Sequence, residues 1–68
     1  GKIPEAKAQF EQAVKLDPNN ADAHYWLGMA LVNGGDTANA KPQFETYLKL
    51  APSGQYADTA KAVLASIK

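Results

Sequence analysis

The chain has no cysteine and no arginine: its seven cations are all lysine, set against seven aspartates and glutamates for a formal net charge of zero. Without cysteine there is no disulfide, no thiolate metal site and no thiol nucleophile, and the reading is neutral between a reducing and an oxidising compartment. Without arginine there is no bidentate clamp for phosphate or carboxylate. The balanced charge offers no clustered basic surface, so nucleic acid is not an expected partner. No run approaches the ~18 apolar residues of a membrane span, so no membrane insertion is expected. The opening Gly1-Lys2-Ile3-Pro4-Glu5 has no apolar run of signal-peptide type. Sixty-eight residues make at most one small core, worth about 3–5 kcal/mol unless something staples it.

What is present points to helix. The composition, 46% hydrophobic and 21% charged, is that of a folded chain, alanine is plentiful and β-branched residues are few. Turn clusters fall at Asp17-Pro18-Asn19-Asn20, Asn33-Gly34-Gly35-Asp36 and Ala51-Pro52-Ser53-Gly54. They separate four segments of helical period. The first runs from about Pro4 to Leu16, with Ala6, Phe10, Ala13 and Val14 on one face. The second runs from Ala21 to about Asn33, with Asn20 as N-cap and Gly34 as terminator. It is apolar on most sides. The third covers about Thr37 to Leu50, with Thr37 as cap and Pro42 bending the first turns without breaking them. The fourth covers about Gln55 to Ile67, with Tyr56, Ala60, Val63, Leu64 and Ile67 on one face and a polar back.

Chemistry-bearing residues are sparse and scattered. His24 has no Cys, Asp or Glu at i±4, so it reads as a packing residue rather than a metal ligand or base. Ser53 and Ser66 have no histidine at suggestive spacing, and the glycine pair at Gly34-Gly35 lacks every phosphate-loop pattern. No enzyme activity, cofactor or metal is expected.

The informative step is to slide the chain against itself by 34 residues. Gly1, Ala6, Lys7, Gln9, Phe10, Glu11, Lys15, Leu16 and Pro18 then fall on Gly35, Ala40, Lys41, Gln43, Phe44, Glu45, Lys49, Leu50 and Pro52. That is nine identities in twenty pairs, where roughly one or two arise by chance. A 34-residue unit of two helices resembles the tetratricopeptide repeat. Leu27-Gly28, Ala40, Phe44 and Pro52 carry the resemblance; His24, Leu31 and Tyr47 depart from it, standing where the family has Trp, Tyr and a small residue.

The resemblance implies an all-α fold: antiparallel helix pairs stacked as a short right-handed α-solenoid. Residues 1–20 are then the second helix of a truncated repeat, 21–54 one complete unit, and 55–68 a C-terminal capping helix. The chain is expected to be the C-terminal piece of a longer array, because such stacks need about three units for stability. The implied function is protein–protein interaction or scaffolding. The family's concave positions fall on Asp22, Tyr25, Met29, Val32 and Asn33, with Tyr56 added from the last helix. Tyr25 and Met29 stand where a carboxylate clamp would need Lys and Asn. The surface therefore suits an apolar or amphipathic segment of a protein or peptide partner. The alternative is self-association, in which the half-covered face of Ile3, Phe10 and Val14 completes its core with another chain.

Overall fold

A computed structural model describes the backbone of residues 3–67 and the side chains of residues 5–67. Four helices follow one another, α1 (Ile3–Leu16), α2 (Ala21–Asn33), α3 (Thr37–Leu50) and α4 (Ala57–Ser66), and no strand occurs among the described residues. Short connections force neighbouring helices to fold back on each other. α2 packs between α1 and α3, and α4 closes on α3.

The turns show why the helices stop where they do. Asn20 caps α2, its Oδ1 accepting the Ala23 N–H at 3.2 Å. At the other end the Asp36 N–H reaches the Leu31 carbonyl at 2.8 Å and the Gly35 N–H reaches that of Val32 at 3.0 Å. This is the paired C-terminal closure that needs one left-handed residue. Gly35 supplies it, at φ +85°. Gly34, the expected terminator, sits just before it in ordinary φ space at −87°.

The cap of α3 is Asp36, not Thr37. Its carboxylate accepts the Asn39 backbone N–H at 3.3 Å and the Asn39 side-chain amide at 2.8 Å, and an aspartate already held by the closure of α2 is placed to do so. Pro42 is consequently the sixth residue of α3, which runs through it unbroken. The two Asn39 bonds, with Lys7 nearby, hold the Asp36 carboxyl below its ordinary value. A carboxyl lowered on folding stabilises above its unfolded value near 4, and loses that contribution as pH falls through the folded one. The protection of the Asn39 amide, its exchange relative to the intrinsic rate at each pH, should therefore hold from pH 7 to 5 and fall below about pH 4. Asp36→Asn, which keeps a capping oxygen, should flatten that acid step.

The core lies between α2 and α3. Ala40, Phe44, Tyr47 and Ala60 are fully buried, with Leu27, Leu31, Tyr25 and Ala57 nearly so. A Cβ placed on Gly28 would lie 2.9 Å from Phe44 Cζ, so the two helices meet at a distance only glycine permits. Tyr47 is accommodated in its small-residue position by a second glycine, since a Cβ on Gly54 would run into its hydroxyl. That hydroxyl accepts the Tyr56 N–H at 2.8 Å. This bond fixes Tyr56 as the residue before α4, so the helix begins at Ala57 and not at Gln55. It ends at Ser66, because Ile67 turns to extended backbone.

Candidate partner-binding groove

His24 is a structural residue. It is buried, its Nε2 donates to the Pro18 carbonyl at 2.8 Å, and its Nδ1 lies 2.8 Å from the Gln43 side-chain amide. It thereby ties the α1–α2 turn, α2 and α3 together. Among the described residues no three His, Cys, Asp or Glu side chains converge as a metal site. No described helix is long and apolar enough to cross a membrane.

All six aromatic residues join in one cluster. Tyr25 stacks on Tyr56 with centroids 4.3 Å apart and planes at 7°. It also meets Phe44 and Trp26 edge-on at 5.9 and 5.1 Å and Tyr47 at 5.6 Å. Trp26 continues the chain to Phe10, a stacked pair at 6.5 Å, and touches Tyr56 edge-on at 5.4 Å. Burial, and the neighbouring phenols of Tyr56 and Tyr47, raise the Tyr25 hydroxyl above its ordinary value.

The cluster reaches the surface between α1 and α2. There Ala6, Phe10, Trp26, Met29, Ala30 and Asn33 line a groove of about 170 Å³, without a single charged side chain. Trp26 is 41% exposed in it. The lining is apolar apart from one amide, that of Asn33.

The expected residues divide on this geometry. Met29 and Asn33, from the concave set, share the groove with Phe10, from the assembly set, so two surfaces expected to be separate are one. Asp22 is exposed on the first turn of α2, and Val32 is half-buried. Tyr56 is half-buried over Tyr25. Tyr25 itself is only 5% exposed, so it supports the wall and does not present a contact, because the α4 junction covers it. Val14 is half-buried against the core, and the Ile3 side chain lies outside the described residues. Trp26 is the residue that sequence reasoning passed over. Its signal was available: a large aromatic on a helix whose other apolar positions already suffice for two neighbours.

Two family models together match residues 1–53, the whole of the first three helices. One, a TPR repeat, matches residues 1–35, and another, a tetratricopeptide repeat, matches residues 21–53. Comparison with curated proteins and with solved structures gave no match.

Proposed function

The chain belongs to the tetratricopeptide repeat family, and on that premise we propose that it holds an apolar or amphipathic partner segment in the groove between α1 and α2. Repeats of this family generally mediate protein–protein interaction or scaffolding and are typically not enzymes. Residues 21–54 serve as the complete unit, 1–20 as the second helix of another, and 55–68 as the cap. One observation carries the reading: Trp26, Phe10 and Met29 form a continuous uncharged groove that leaves a tryptophan 41% exposed in a chain with few other large apolar residues at its surface.

The reading is tested by selecting binders from a displayed peptide library on the immobilised chain, then measuring their affinity for Met29→Glu and Trp26→Ala. A charge in the groove, or loss of its aromatic wall, should weaken selected peptides at least tenfold, about 1.4 kcal/mol, while helicity by circular dichroism is retained. Peptides that bind both variants as well as the parent would overturn the groove.

A further inference from the structure

Of the asparagines Asn19, Asn20, Asn33 and Asn39, only Asn33 precedes a glycine. Two of the others are held by the fold: Asn20 Oδ1 accepts the Ala23 N–H at 3.2 Å, and the Asn39 amide donates to Asp36 Oδ2 at 2.8 Å. Each of those two is followed by an alanine. Asn33 is the last residue of α2 and half-buried, and none of the side-chain hydrogen bonds among the described residues engages its amide. The glycine after it is not demanded by the backbone. Gly34 has φ −87° and ψ 1°, a conformation open to other residues, whereas Gly35, at φ +85°, does need to be glycine. What a bare Cα at position 34 provides is an unhindered backbone nitrogen next to an asparagine amide.

We infer that Asn33 is a site of spontaneous deamidation through attack by the Gly34 backbone nitrogen, and that the hydrogen-bonded end of α2 sets its rate. The new bond from Gly34 N to Asn33 Cγ closes a five-membered succinimide. The Cγ–Nδ2 bond breaks, and ammonia leaves with the proton that the Gly34 nitrogen loses to solvent. Water then opens the ring at either carbonyl. Breaking the bond from Gly34 N to Cγ gives aspartate, and breaking the bond from Gly34 N to the Asn33 main-chain carbonyl carbon gives isoaspartate. The sum consumes one water and releases one ammonia, with no oxidant or reductant.

In the closed fold that nitrogen is engaged. Its N–H donates to the Ala30 carbonyl at 3.0 Å, and the Gly35 and Asp36 N–H groups donate to Val32 and Leu31 at 3.0 and 2.8 Å. All three bonds span the Asn33–Gly34 peptide, and the succinimide ring forces Asn33 out of helical backbone. The reaction therefore draws on molecules in which the last turn of α2 has opened. Its products do not restore that turn. Either one sets a carboxylate at the C-terminal end of α2, where the free carbonyls disfavour negative charge. Isoaspartate also inserts one atom into the main chain inside all three hydrogen-bonded rings. Asp36, which the closure holds in place to cap α3, is released with it. Deamidation is thus a one-way loosening of the turn between α2 and α3.

The test incubates the full 68-residue chain at mildly alkaline pH, in buffer and in guanidinium, with circular dichroism reporting the fold. Peptide mapping by mass follows the change from amide to acid at each asparagine, and enzymatic methylation reads isoaspartate. Asn33 is expected to convert in buffer while Asn19, Asn20 and Asn39 stay intact. Gly35→Ala strains the closure at positive φ, so it should speed conversion about fivefold or more in buffer and leave the rate in guanidinium unchanged. Gly35→Asn, a residue that tolerates the left-handed region, should fall between parent and Gly35→Ala, and it serves where the alanine variant does not fold. Gly34→Ala, whose Cβ suits the backbone but hinders the nitrogen, should nearly abolish conversion in both solvents. The isoaspartate form, isolated by chromatography, should unfold at lower urea than the parent and than Asn33→Asp. An Asn33 that stays intact in buffer while the denatured chain converts would overturn the inference. So would rates in buffer indifferent to both Gly35 variants, conversion of Asn20 or Asn39 as fast as Asn33, or an isoaspartate form as stable as the parent.

Discussion

Phe44→Ala is expected to unfold the chain, whereas Phe10→Ala, the same change 34 residues earlier, should leave it folded. Phe44 is fully buried between α2 and α3 with Gly28 and Tyr25 against its ring. Truncating a buried phenylalanine costs about 3–5 kcal/mol in lost transfer energy and cavity, and a core this small holds only about 3–5 kcal/mol in total. Phe10 is half-exposed on the groove wall. Its loss removes less buried area and leaves an opening that water already reaches, so a cost of about 1–2 kcal/mol is expected. Urea titrations of both variants, followed by circular dichroism, check this. Equal costs would mean that the two copies of the repeat surface are equally covered, contrary to the fold described above.

Gly28→Leu should be nearly as damaging for the opposite reason. A Cβ at that position already lies 2.9 Å from Phe44 Cζ, and the ring has no free space to enter because it is completely buried. Leucine recovers about 1 kcal/mol of helix propensity over glycine, but forcing α2 away from α3 costs roughly 3 kcal/mol or more. The mechanism has a signature. In the double variant with Phe44→Ala, the leucine occupies the space the ring vacates. The pair should then cost at least about 1 kcal/mol less than the sum of the single changes. Because each single variant is expected to be largely unfolded, the recovery is read as helicity by circular dichroism: a double variant no more helical than Phe44→Ala alone would show that the close approach at Gly28 is not what glycine provides.

Much of the fold was legible because its determinants are local or periodic. Helices α2 and α3 have the expected bounds, since Asn20 caps one and the turn chemistry around Gly34-Gly35 separates them. The 34-residue register singled out Ala40 and Phe44, and both are wholly buried. Errors fell where a tertiary contact decided a local question. Asp36, not Thr37, caps α3 because the closure of α2 holds it in place. The fourth helix starts late because the Tyr47 hydroxyl takes the Tyr56 N–H.

The candidate site was less legible, for a related reason. A position on a helix face specifies direction, not cover. Tyr25 points towards the expected surface, yet Tyr56 lies on it at 4.3 Å. Trp26 was passed over, yet it is 41% exposed and stacks on Phe10.

By itself, then, the sequence determined that this chain is a stack of helices, where three of them begin and end, and which repeat family they belong to. Periodicity, caps and a 34-residue identity are all written along the chain. Only the tertiary structure decided which copy of a repeated surface is covered. Ala6 and Phe10 have the same identity and spacing as Ala40 and Phe44, and burial depends on what lies against a residue, which no residue carries in its own name.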